Sequence, residues 1–336
     1  MSFTSDHGDK CKRDLGKMNL ALAITHSTLC VINIIIHSIG AFLMDAIKKQ
    51  HKNSTQATLI KHLSISELMW SLVDFTESIF VSVKGDEAKD KLLMKYLGIV
   101  ELCGIFIVYI TLMVYITLDR FFHFYYATRY TTIFSIKRAS KFCKLAWVFS
   151  AIICATVAVA YKVNGEFDYE EFIFSYVFPV LELVFLATAA VTYSYIYYIF
   201  KRQKKISGAN LRRQNSVKSE NRNQNDPRRP KPQKARKPKL YIPSLIILTF
   251  LIFIVVPDIV YLVVDKKDKN IDFAITIRLM YMTCLMSDAV IYIFLQRHVR
   301  KELKRRLRKA LNINDNQEER PRSQHSDVPG VAVISK

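Results

Sequence analysis

The stretch Tyr115-Ile116-Thr117-Leu118-Asp119-Arg120-Phe121 decides the fold. It closes an apolar run that begins near Leu92, and Tyr126-Ala127-Thr128-Arg129-Tyr130 follows it. An Asp-Arg pair at the end of a hydrophobic helix is costly in lipid, so it must lie at the interface or face a protein interior. Arg also ends many membrane helices simply by snorkelling. The pair alone is therefore compatible with plain anchoring as well as with function, and the rest of the chain decides between them.

Working outward, the chain combines 51% hydrophobic residues with a net charge of +20. The two are separated along the sequence: apolar blocks alternate with short polar connections, and most Lys and Arg sit in a few connections and the tail. That is the pattern of a polytopic membrane protein. A basic nucleic-acid binder would spread its charge over a folded surface, so no nucleic-acid partner is expected. Blocks over 19–44, 57–83, 92–125, 141–163, 171–200, 240–264 and 270–296 each hold about 20 or more mainly apolar residues, enough for a spanning helix. None alternates with period two, so a barrel does not fit. The second and seventh blocks are the most polar, as helices facing a bundle interior would be. The expected class is an all-α membrane protein, a seven-transmembrane helix bundle with a short C-terminal amphipathic helix.

Lys and Arg near the block ends set the orientation. Basic residues follow block one (Lys48, Lys49, Lys52), block three (Arg129, Lys137, Arg138, Lys141, Lys144) and block seven (Arg297 to Lys309). The connection 201–239 holds fifteen Lys or Arg against Glu220 and Asp226. The other connections are balanced or acidic, notably 162–171 with Glu166, Asp168, Glu170 and Glu171. Residues 1–18 are therefore expected outside, as a polar leader rather than a cleavable signal peptide, and the C-terminus inside. The segment 201–239 reads as a disordered basic linker, and Ser216 and Ser323 sit in short basophilic kinase patterns. Over 297–311, Val299, Leu303, Leu307 and Leu311 form one stripe among basic residues, the pattern of a helix lying on an anionic lipid leaflet. Residues 312–336 read as a disordered tail. Five of the six cysteines fall in or beside apolar blocks with no metal spacing, so neither a zinc site nor a disulfide framework is expected from sequence. Asn53-Ser-Thr matches a glycosylation pattern but falls in the first inner connection. No HExxH, GxSxG or paired catalytic motif appears, so an enzyme is not expected.

Several landmarks in order resemble the rhodopsin-like family of G-protein-coupled receptors over about 19–311. They are Leu63-Ser-Ile-Ser-Glu67-Leu68 in span two, Asp119-Arg120-Phe121 ending span three, Trp147 in span four, Pro257 in span six and Asp288-Ala-Val-Ile-Tyr292 in span seven. There are departures. Val255 stands where a tryptophan is usual, Ala289 replaces a proline, His37 takes the place of a span-one asparagine, and Lys95 stands where a cysteine would bridge to the second outer loop. Lacking that bridge, and in its Asp at 288, the chain is similar to the melanocortin-like branch. The resemblance implies a plasma-membrane receptor for an extracellular ligand. It also implies heterotrimeric G-protein partners, with arrestin and kinases at 201–239 and 312–336.

By the same resemblance, Asp119, Arg120, Phe121, Pro257, Asp288 and Tyr292 form the coupling switch, with Arg120 paired to Asp119 at rest. The inner end of span six reads Lys234-Ala-Arg236-Lys237-Pro-Lys239 and offers no acid to complete a lock, which implies a weak lock and high basal activity. One of Tyr193, Tyr195, Tyr197 and Tyr198 is a partner for Tyr292, though nothing in the sequence chooses among them. Glu67 and Asp288 cannot both ionise cheaply if they face each other; they share a proton, or hold a sodium ion as the one cofactor considered. Eighteen residues make about five helical turns, which puts Leu102 on Arg120's face with Cys103 beside it. Glu101, about 100° round, is a weaker candidate. Glu77, Asp258 and Arg278 complete an expected ligand pocket for a peptide or a small polar or zwitterionic molecule. The alternative for these charges is a structural ion pair of Arg278 with Asp258 or Glu77. The competing class is an ion- or proton-coupled membrane transporter, which intramembrane carboxylates would also suit, although no internal repeat supports it.

Overall fold

A computed structural model describes residues 20–50, 55–84, 92–126, 129–163, 172–220, 241–264, 271–294 and 297–310. Every regular element among them is helical. Helix α1 is Leu20–Gln50 and α2 is Thr55–Lys84. Helix α3 spans Leu92–Tyr125 and contains a π-helical segment, Val100–Phe106. A single turn, α4 (Tyr130–Ile133), precedes α5 (Ile136–Val163). Helix α6 starts with a π turn, Ile173–Val177, and runs on as Phe178–Glu220. Helix α7 joins Tyr241–Phe250, a π turn Leu251–Val255, and Val256–Val263. Helix α8 is Ile271–Ala289 followed by a π turn, Val290–Phe294, and α9 is Arg297–Ala310.

Six helices, α1, α3, α5, α6, α7 and α8, are long and apolar enough to cross a membrane. Helix α2 matches them in length but carries Lys61, Glu67, Asp74 and Glu77. Its acids explain themselves by direction: Glu67, Asp74 and Glu77 are buried, while Met69, Leu72, Ile79 and Val83 face outward. The same inversion holds on α5. Leu145, Val148, Phe149 and Ile152 are exposed, and the small stripe Ala139, Cys143, Ala146 and Ser150 is buried. Small residues let helices approach closely without a water-driven hydrophobic effect. Ser150 uses that approach to donate its hydroxyl to the Gly104 carbonyl, inside the π segment of α3.

Helix α3 is the most buried of the six and packs against α2, α5 and α6. Helix α1 presents one polar stripe, His26, Cys30, Asn33, His37 and Gly40, to α2 and α8. Asn33 Nδ2 donates to the Met282 carbonyl at 2.8 Å, and a Cβ on Gly40 would stand 2.7 Å from Ile293 Cδ1. Asn33, one turn before His37, thus makes the tie from α1 to α8. Lys95, at the position of the missing cysteine, lies 5.7 Å from the Tyr161 ring centroid on α5.

Two expectations change. The basic stretch 201–239 is expected to be a disordered linker, yet α6 continues as helix to Glu220; the remainder, 221–239, lies outside the described residues, as do 1–18, the acidic residues of 164–171, and 312–336. The stripe on α9 is divided rather than uniform. Val299 is buried and Leu303 packs on the core, while Leu307 is exposed. Buried Glu302 receives Arg305 and Arg306 at 2.8 and 2.9 Å, and the Arg306 guanidinium lies 4.5 Å from the centre of the Phe42 ring on α1.

Candidate functional site

The largest concentration of buried charge gathers around Arg278 of α8. Asp74 and Glu77 lie three apart on α2 and share a face. Arg278 Nη1 donates to Asp74 Oδ1 at 2.8 Å and to Glu77 Oε2. Its Nη2 stands 3.6 Å from Glu101 Oε2 on α3. Trp70 of α2 donates its indole N–H to Glu101 Oε1 at 2.9 Å, with its ring edge-on to Phe106 and Tyr109. His26 Nε2 of α1 contacts Asp74 Oδ2 at 3.1 Å. Four helices meet in one network, and the Arg278 side chain, 31% exposed, is its opening.

Glu101 enters by way of the π segment. A π turn holds one more residue than an α turn, so what lies beyond is rotated by about 100°. A straight helix would carry Leu102 towards Arg278; the π segment brings Glu101 there instead. Leu102 is buried in the apolar core, and Cys103 turns to Cys154 of α5. Neither reaches the network. Asp258 is also not Arg278's partner. It accepts the Tyr281 hydroxyl of α8 and faces Glu182 of α6, a buried acid that the sequence reading passed over. The ion-pair reading of Arg278 holds for Glu77 and fails for Asp258.

Midway along the bundle, Glu67 and Asp288 have separate neighbours. His37 Nδ1 stands 2.9 Å from Glu67 Oε2, at ion-pair distance but without the alignment of a hydrogen bond. Tyr109 donates to Asp288 Oδ2 at 2.7 Å. Asp288 lies within electrostatic reach of Glu67, and each keeps one buried oxygen, Glu67 Oε1 and Asp288 Oδ1, with no hydrogen-bond partner among the described residues.

At the Arg120 end, buried Asp119 accepts the Tyr130 hydroxyl of α4. It does not pair with Arg120, contrary to what the family likeness implied. Burial pushes the Tyr130 phenol up, and its bond to Asp119 pushes the same way, so it stays a donor at physiological pH. Aromatic stacking fixes α4: Phe134 lies on Tyr130 and Phe122 with centroids 5.9 and 4.8 Å apart. Among the described residues Arg120 makes no ion pair. Its electrostatic neighbours are Tyr193 of α6, Tyr292 of α8, and Asp119 and Tyr130 on its own side. Of the four candidate tyrosines, Tyr193 lies within electrostatic reach of Tyr292. Tyr195 packs on Phe121 and Tyr125, while Tyr197 and Tyr198 are exposed. Tyr292 reaches Met113 Sδ at 3.6 Å. Pro257 is buried directly after a π turn, which accommodates the backbone bond that proline cannot make.

Asp74 and His26 were not singled out from the sequence. Asp74 stands three before Glu77, and His26 begins the polar stripe of α1; those spacings were the available signals. The family described as 7 transmembrane receptor (rhodopsin family) matches residues 42–292. No curated protein matches the chain.

Trp70→Phe keeps the ring packing but takes the N–H from buried Glu101. We expect a loss of about 1–3 kcal/mol of stability, read as a lower melting temperature of the purified protein. An unchanged melting temperature would contradict the bond.

Proposed function

The chain belongs to the rhodopsin family of seven-transmembrane receptors, and from that premise we propose that it passes an extracellular signal to heterotrimeric G proteins. Helix α2 then completes seven spans, its charges turned inward and its outward face apolar. The basic bias of the connections after blocks one, three, five and seven supports an outside N-terminus and a plasma-membrane location. The ligand is a peptide or a small polar or zwitterionic molecule that presents a positive group to the Arg278 network. Three carboxylates surround one guanidinium, leaving a formal surplus of two negative charges, and such a site draws cations.

The observation that carries the switch is the Arg120 environment. Asp119 is engaged by Tyr130, and Arg120, beside Tyr193 and Tyr292, makes no salt bridge among the described residues although Asp119 lies within its electrostatic reach. Ligand contact shifts a pre-existing equilibrium. The cytoplasmic half of α7 swings outward about its π turn and Pro257, and Arg120 meets the G protein. Arrestin and kinases would act on 201–239 and 312–336. The exposed basic face and Leu307 of α9 support contact with anionic lipid. For Glu67 and Asp288 we favour a shared proton over sodium, because His37 and Tyr109 already supply positive or donor groups.

In cells bearing a G-protein dissociation reporter, basal signal should exceed that of mock-transfected cells, and Arg120→Ala at equal surface level should return it to mock. Screening should then yield cation-bearing agonists. Basal signal equal to mock, or solute uptake that persists in Arg120→Ala, would contradict the receptor mechanism. Replacing sodium by a bulky organic cation should leave the melting temperature unchanged; a fall would restore the sodium reading.

A further inference from the structure

Beside the Arg278 network lie three side chains of different chemistry whose donor atoms converge. His26 and Cys30 stand four apart on α1 and so share one face, and Asp74 faces them from α2. One ligand atom from each lies within 4.8 Å of the others. His26 Nε2 is 3.1 Å from Asp74 Oδ2 and 3.8 Å from Cys30 Sγ. All three residues are at least 98% buried, with exposures of 2%, 0% and 0%.

We infer that His26, Cys30 and Asp74 form a binding site for a zinc-class transition-metal ion. A nitrogen, a thiolate sulfur and a carboxylate oxygen are the ligands zinc takes, at about 2.0–2.1, 2.3 and 2.0–2.2 Å. Around a tetrahedral centre those bond lengths place N and O roughly 3.3 Å apart, and N and S roughly 3.5 Å apart. The observed separations lie within a few tenths of an ångström of both. Calcium and magnesium take oxygen ligands only, so the histidine and the thiol select against them. Three protein ligands leave a fourth position for water or a ligand group.

The surroundings favour a cation there. Arg278 holds Asp74 through Oδ1 and leaves Oδ2 directed at His26, the arrangement by which an outer partner orients a metal ligand. With Glu77 and Glu101 the cluster carries two formal negative charges in excess of Arg278, three once Cys30 binds as thiolate, and a divalent ion offsets two of them. On binding, the Cys30 thiol gives its proton to water as the sulfur–metal bond forms, with no change of oxidation state. The site goes beyond the receptor reading and does not depend on it. Bound zinc would sit against the ligand network and couple metal level to its charge.

The test uses the purified full chain in lipid nanodiscs. Cobalt(II), a spectroscopic stand-in for zinc, should give a thiolate-to-metal charge-transfer band that zinc abolishes by displacement. Cys30→Ser should remove the band, and His26→Gln should weaken zinc binding at least about tenfold. Neither substitution removes a partner of Arg278. No charge-transfer band in the parent protein, or an equal band in Cys30→Ser, would overturn the site. If Cys30→Ser does not fold, the parent protein decides: saturating zinc should slow alkylation of Cys30, mapped by peptide mass, relative to magnesium. Equal alkylation rates would overturn the site. Because the readout is metal binding, failure here leaves G-protein signalling untouched, and the reverse also holds.

Discussion

A guanidinium inside an apolar bundle must be answered by carboxylates, and Arg278 of α8 is answered from α2 and α3 together. Breaking such a pair strands a buried charge, which costs about 3–5 kcal/mol. That penalty couples three helices whose outer surfaces are greasy and would otherwise slide past one another. His26 on α1 joins through Asp74, and Trp70 locks Glu101 from the other side. A helix as charged as α2 belongs in the bundle because its acids have these partners. Its membership rests on pairing where that of its neighbours rests on hydrophobicity.

The second device is the π segment. Those of α6 and α7 lie before Pro179 and Pro257, where the backbone must yield to the ring. That of α8 covers Val290–Phe294, just after Ala289. The segment in α3 has no proline to explain it. Its effect is on register: Glu101 replaces Leu102 on the inward face, and the Gly104 carbonyl is answered by Ser150. A charged site is made by winding rather than by a change of residue.

This accounts for what could be read from the chain. Apolar runs between basic connections are local, so each can be read without knowing what it packs against. The main miss, 201–220, is a polar stretch that a long helix carries forward from α6. The Arg278–Glu77 pair was among the sequence alternatives, but most other pairings were not. Asp258 meets Tyr281 and Glu182 instead of Arg278, and Asp119 meets Tyr130 instead of Arg120. Partners lying 11 to 204 residues apart leave no local periodic trace. An α-helical wheel also cannot anticipate a π turn. The polar stripe of α1 is legible in principle, since His26, Cys30, Asn33 and His37 are spaced by fours and threes.

The Arg278 network requires Glu101 to be wound inward. A double-mutant cycle on thermal unfolding of the purified chain, using Arg278→Gln, Glu101→Gln and the two together, measures that contact directly. We expect non-additivity of at least about 1 kcal/mol, within the range found for residues that share a network. Additivity to within about 0.5 kcal/mol would mean that Glu101 does not face Arg278, and would contradict both the network and the register set by the π segment.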